Sequence, residues 1–155
     1  MDSIAGKDIA VAIGSDHAGY ELKEAVLDSL HSAGYKIEDF GAFSTESVDY
    51  PDVAREVAEA VASGRFRRAI LICGTGIGVS VTANKIRGIR AAACSDTYSA
   101  KMARAHNNAN IVCFGARVVG AGLAHDIAVS FLETDFEYGS RHERRVEKIN
   151  ALDAG

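Results

Sequence analysis

A parallel α/β sheet covered by helices on both faces is the architecture this sequence predicts. Short apolar runs stopped by glycine or a polar residue alternate with segments of helical periodicity along the 155 residues. The most apolar run, AILIC at residues 69–73, has no polar alternation, as a strand buried on both faces requires. Strands that alternate with helices need crossover connections, and these make the sheet parallel.

The elements follow in order. Residues 8–14 (DIAVAIG) read as a first strand. Residues 20–33 place Leu22, Val26 and Leu30 on one helical face, and Gly34 stops the helix. A second strand spans 35–40, and a polar loop spans 41–48. Asp49 caps the next helix, with Pro51 in its first turn and Val53, Val57 and Val61 as its stripe. The third strand, 69–73, leads to a helix over 78–86. A fourth strand (89–94), a helix (97–105), a fifth strand (111–114) and a helix (122–132) follow. Ser140 and Glu143 have capping-box spacing and open the last helix, which Val146, Ile149 and Leu152 dock on the body. No repeat or linker interrupts residues 1–155, so a single domain is expected.

Composition narrows the functional classes. Hydrophobic residues make up 48% and charged residues 25%, a balance that folds without disulfides or a structural metal. The formal charge of −4 at pH 7 provides no general positive field for nucleic acid. Cys73, Cys94 and Cys113 are odd in number and form no C-x-x-C pair, so reduced thiols are expected. Residues 1–7 lack the apolar core of a signal peptide, and no run reaches the roughly 18 apolar residues of a membrane span. A soluble, cytoplasmic protein with no membrane partner is the expectation.

Ligands of parallel sheets bind beyond the carboxyl ends of the strands. Asp16 and His17 follow the first strand there, Cys73 to Ser80 the third, and Ser95 and Asp96 the fourth. The stretch Cys73-Gly74-Thr75-Gly76-Ile77-Gly78-Val79-Ser80 is the sharpest feature. Alternating glycines turn N–H groups inward, and a following helix start adds partial positive charge, which suits an oxyanion or phosphate. A tight strand-to-helix turn would use the same glycines. No Gly-Lys-Ser/Thr follows, and Val79 occupies the position where a dinucleotide fingerprint needs glycine. A cysteine at a helix start is suited to act as nucleophile or as proton-abstracting base. Arg141 and Arg145, four apart on one helix face, form a phosphate clamp or an ordinary charged surface, and Arg117 is a third candidate. No H-x-x-x-H or H-E-x-x-H spacing supports a metal site, so none is expected.

Together these residues resemble the type B ribose-5-phosphate isomerases, a family that also includes allose- and galactose-6-phosphate isomerases. The resemblance is carried by Asp16-His17-Ala18-Gly19 with Leu22-Lys23, by Asp49-Tyr50-Pro51-Asp52, and by the Cys73–Ser80 stretch continuing to Ala83-Asn84-Lys85. Gly88-Ile89-Arg90-Ala91, His106-Asn107 with Ala109-Asn110, Gly115 with Arg117, and Arg141-His142 with Arg145-Val146 complete it. It implies a Rossmann-like three-layer fold with a five-stranded sheet of order 2-1-3-5-4. It further implies a homodimer, or a dimer of dimers, with shared active sites, and aldose–ketose isomerisation without cofactor or metal. On that pattern Cys73 is the base. His106, with Asn107, comes from the partner and opens the sugar ring. His17, Arg141 and Arg145 hold the phosphate, joined by Arg117 of the partner. Asp16 and Tyr50 line the sugar, Thr75 lies near the ring, and the backbone of Gly74, Gly76 and Gly78 stabilises the enediolate oxygen. Some relatives use a glutamate in place of the cysteine; the Cys73-x-Thr75 pair places this chain in the cysteine branch. The resemblance leaves ribose 5-phosphate, erythrulose 4-phosphate, allose 6-phosphate and galactose 6-phosphate as candidate substrates. A nucleotide-dependent oxidoreductase has only the glycine loop in its favour. A sugar-phosphate sensor would have no use for a base at Cys73.

Overall fold

A computed structural model describes residues 6–154. The segment 1–5, which carries most of the reading that no signal peptide is present, lies outside the described residues. Five strands form one parallel sheet: β1 (Ala10–Ser15), β2 (Lys36–Asp39), β3 (Arg68–Cys73), β4 (Ala91–Ala93) and β5 (Ile111–Gly115). Their order is β2-β1-β3-β5-β4, as the resemblance implied. The helices are α1 (Tyr20–Ser32), α2 (Tyr50–Ala62), α3 (Ile77–Ala83), α4 (Thr97–Ala105), α5 (Ala121–Glu133) and α6 (Arg141–Ala151). No helix among the described residues is long and apolar enough to cross a membrane.

Strand alternation sorts the core into two layers. Val11, Ile13, Ile70, Ile72, Val112 and Phe114 face α1, α4 and α5. Ala12, Ala69, Leu71, Cys73, Ile111 and Cys113 face α2 and α3. All six residues of β3 are buried, because β1 pairs with one edge and β5 with the other. The α2 stripe packs as its spacing predicts, with Val57 and Val61 buried and Val53 against the same cluster.

Several local expectations are corrected. Helix α3 ends at Ala83 rather than at 86. Asp49 stands at the N-cap of α2 but accepts no side-chain capping bond. The capping box of α6 is displaced by one residue: Ser140 Oγ accepts from the His142 N–H, while the Glu143 carboxylate accepts from the Gly139 N–H at 2.9 Å. Val146 is buried, but Ile149 and Leu152 are 43% and 82% exposed, so only the first of the three docks α6 on the body.

Lys23 is fully buried although it neighbours the apolar stripe of α1. Its ammonium donates to Asp39 Oδ1 at 2.7 Å, to Asp39 Oδ2 at 2.8 Å and to the Ala42 carbonyl at 2.6 Å, which satisfies a group whose burial is otherwise expensive. The braced segment in turn holds the end of β1: the Ser15 N–H donates to Gly41 O, and the Ala42 N–H to Ser15 O. Asp16 and His17 follow directly. Replacing Lys23 with methionine leaves the Asp39 carboxylate without its buried partner. The Lys23→Met protein is expected to lose about 3 kcal/mol of stability in urea unfolding. A loss below about 0.5 kcal/mol, the size of an ordinary surface substitution, would contradict the bracing role.

Candidate active site

The register of the sheet gathers the first group of site residues. Ser15 pairs with Ile72, and Cys73 with Gly115, so β1, β3 and β5 end side by side. The Asp16 N–H donates to Ile72 O at 3.3 Å, and the Arg117 N–H to Gly74 O at 3.1 Å. Past these ends opens a cavity of about 560 Å³ lined by Asp16, His17, Tyr50, Cys73, Gly74, Thr75, Gly78 and Arg117.

Cys73 closes β3, and its Sγ accepts the Gly76 N–H at 3.1 Å. The loop geometry demands glycine at two points. Gly76 has φ +82°, and a Cβ there would lie 2.7 Å from Phe114 Cα. A Cβ at Gly78 would lie 2.6 Å from the Tyr50 ring, which packs on that position. The Thr75 hydroxyl accepts the Ile77 N–H at 3.2 Å. Two loop amides, those of Gly76 and Ile77, are therefore already engaged within the loop.

The other cavity groups are held by their own partners. Asp16 is buried, and its Oδ1 accepts the Gly19 N–H at 3.0 Å. His17 Nδ1 lies 3.2 Å from both the amide nitrogen and the carbonyl oxygen of Val48, which ties the ring to the loop before α2. Asp96, placed at this rim by the sequence, serves α4 as its N-cap, accepting from the Ser99 N–H at 2.6 Å and the Ser99 hydroxyl at 2.8 Å. Burial, with Asp96 nearby, pushes the Cys94 thiol up to about 11, and burial raises Cys113 as well. Neither is a thiolate near neutral pH.

A second group stands elsewhere. Helix α4 returns from the carboxyl edge of the sheet to the start of β5, so its last turn lies at the amino edge. His106 is the C-cap there. Its ring stacks on His142 of α6 at 3.8 Å and 11°, and its Nε2 lies 3.7 Å from Glu137 Oε2. Asn107 lines a different cavity, with Asn84 and Arg90. Arg141 and Arg145 are exposed one turn apart on α6. Burial and the charges of His106, Arg141 and Arg145 push the His142 pKa down, which marks both arginines as electrostatic neighbours of the histidine pair.

In one chain, then, Arg117 joins Cys73, while Arg141 and Arg145 join His106. This reverses the phosphate-site grouping the resemblance implied, in which Arg117 alone came from a partner. The reason is connectivity: Arg117 follows β5, the immediate neighbour of β3. His142, Glu137 and Lys23 were given no role from the sequence, and spacing alone carries no signal for them. His106, Glu137 and His142 form a group among the described residues whose donor atoms lie within 4.8 Å of one another. The two stacked rings direct their nitrogen lone pairs side by side rather than toward one point, which does not suit a tetrahedral metal ion.

Comparison with known proteins identifies the family. The family model described as Ribose/Galactose Isomerase matches residues 11–149. Ribose-5-phosphate isomerase B of Escherichia coli is 47% identical over 143 residues, covering 92% of this chain and 95% of its own. D-erythrulose-4-phosphate isomerase of Pectobacterium atrosepticum is 46% identical over 142 residues, covering 91% and 93%. The structure of ribose-5-phosphate isomerase B from Clostridium thermocellum superposes with a TM-score of 0.91 at 51% identity, covering 94% of this chain and 98% of that one. With the family model matched over residues 11–149 and these relatives covered over nearly their full length, the chain belongs to the ribose/galactose isomerase family.

Proposed function

We propose that this single domain interconverts ribose 5-phosphate and ribulose 5-phosphate through an enediolate, with Cys73 as the base. The observation that carries the reading is the Cys73 sulfur, hydrogen-bonded by the Gly76 amide at a cavity that also holds Asp16, His17 and Arg117. A thiolate there removes the proton from carbon 2 of the open-chain aldose. The C–H electron pair forms the carbon 1–carbon 2 double bond of the enediolate and negative charge collects on oxygen 1; the hydroxyl proton then passes from oxygen 2 to oxygen 1, and the proton taken by Cys73 returns to carbon 1 as the carbon 2 carbonyl forms. The step is redox-neutral overall and calls for no cofactor. Arg117 and His17 hold the phosphate, Asp16 and Tyr50 line the sugar, and Thr75 with the loop backbone of Gly74 and Gly78 faces the enediolate. The Cys94 and Cys113 thiols, held neutral by burial, take no part.

His106, Asn107, Arg141 and Arg145 complete the site from a second copy of the chain, in a homodimer or a dimer of dimers. Their distance from the Cys73 cavity within one chain supports this, as does the weakly docked α6 that carries two of them. His106 opens the ring, and the two arginines close the phosphate clamp. Three free cysteines fit a reducing, cytoplasmic setting.

A second reading is supported by the Pectobacterium relative, whose name gives D-erythrulose 4-phosphate as substrate at 46% identity. Both reactions use the same base and clamp and differ in chain length. Purified protein is expected to turn over ribose 5-phosphate faster than erythrulose 4-phosphate, allose 6-phosphate or galactose 6-phosphate. Rapid tetrose turnover without pentose turnover would overturn the substrate assignment. The shared site predicts complementation. Cys73→Ala and His106→Ala proteins, each inactive alone, regain about a quarter of wild-type activity after subunit exchange, because one of the two sites in each mixed dimer keeps both residues. Absence of recovery despite exchange, confirmed by mass spectrometry, would refute the shared geometry.

A further inference from the structure

A second polar cavity lies at the amino edge of the sheet. Its volume of about 290 Å³ sits near the lower end of the roughly 300–1,000 Å³ of small-molecule sites. Arg67, Arg68, Arg90 and Arg104 line it, against one carboxylate, Asp135. Arg68 opens β3 and Cys73 closes it. Five residue steps of about 3.3 Å separate the two by roughly 16 Å, so one small ligand does not reach both.

The guanidinium groups are anchored on one side and retain donors on the other. Arg68 Nη1 donates to Leu132 O at 2.6 Å. Arg104 donates through Nε to Thr134 O, and through Nη1 to Asn108 Oδ1 and Ala109 O. Arg90 donates to the carbonyls of Asn107 and Asn108 and to Asn150 Oδ1. Arg68 Nη2 has only a 3.8 Å approach to Asp135 Oδ1, longer than a charge-assisted hydrogen bond. Arg104 Nη2 donates to no group among the described residues. Arg68 and Arg104 are only 5% and 6% exposed. Burial lowers the pKa of both, that of Arg104 to about 10 with the Arg68 charge adding to the shift. Like charges held together away from water are relieved by an anion.

We propose that this cavity binds a phosphate-sized dianion, as free phosphate or as the end of a phosphate monoester, at a site separate from that of Cys73. The rigid forks of Arg68 and Arg104 supply fixed donors, and Arg67, exposed at the mouth, adds charge.

The test is calorimetric titration with inorganic phosphate at constant ionic strength, on protein carrying His17→Gln, Arg117→Gln, Arg141→Gln and Arg145→Gln to disable the phosphate clamp proposed for the Cys73 cavity. One equivalent of phosphate is expected to bind still. Adding Arg104→Gln raises Kd at least tenfold, and adding Arg67→Gln at least threefold. Because Arg67 is exposed, its replacement tests the site even where Arg104→Gln fails to fold. Methyl phosphate titrated in parallel separates the sources: comparable binding assigns the site to monoesters, and binding of inorganic phosphate alone assigns it to the free anion. No phosphate binding in the protein carrying those four substitutions, or a Kd unchanged by Arg67→Gln, would overturn the proposal.

Discussion

The central position of β3 is the constraint on which the rest of the molecule depends. Its six residues are buried on both faces and paired along both edges. A strand so enclosed has little freedom of register, because a one-residue slip would exchange its two core faces. Its last residue is therefore delivered to one point, beside the ends of β1 and β5. The thiol, the Asp16–His17 pair and Arg117 meet for that reason, although each comes from a different part of the chain. The glycine loop then turns back onto the sulfur, and Phe114 and the Tyr50 ring leave room at Gly76 and Gly78 for hydrogen alone.

The same strand separates two electrostatic environments. At its carboxyl end stand a thiol and hydrogen-bond donors. At its amino end Arg68 reaches the Leu132 carbonyl in the last turn of α5, and Arg104 bridges the Thr134 and Ala109 carbonyls. These arginines bind the crossover helices to the sheet through backbone oxygens, which satisfy the donors on their anchored side. Connectivity in a parallel sheet also explains why His106 and Cys73 lie apart within one chain: a helix leading back to the next strand must finish at the edge where that strand begins. On the proposed reading, a site needing both residues is completed by a second copy.

Much of this was legible in the sequence, and the rest failed for physical reasons. Apolar runs and helical stripes located all five strands and six helices; burial on both faces leaves little room for polar residues in the inner strands β1, β3 and β5, while β2 and β4 lie at the sheet edges and are partly exposed. The glycine alternation pointed to the right loop. The bracing role of Lys23 is not legible in the sequence, because a charged residue beside a helix stripe reads as solvated, and only tertiary contact brings two carboxylate oxygens and a carbonyl to its ammonium. Ile149 and Leu152 have the spacing of docking residues yet stand exposed, since periodicity identifies a helix face and not what covers it. The grouping of Arg117 with Cys73 depends on β5 neighbouring β3, which spacing along the chain does not encode. The stack of His106 on His142 joins two helices with no sequence signature of contact.

Cys73 as the proton-transferring group is the claim most open to direct measurement. Ribose 5-phosphate incubated with enzyme in deuterium oxide reports proton removal at carbon 2 by exchange, observed by nuclear magnetic resonance independently of net conversion. Wild-type protein is predicted to exchange the carbon 2 proton. Cys73→Ala protein, still binding the sugar phosphate, is predicted to exchange it at least about 100-fold more slowly, the contribution of a positioned base. Exchange at the wild-type rate in Cys73→Ala protein would contradict the assignment and place the base elsewhere in the cavity.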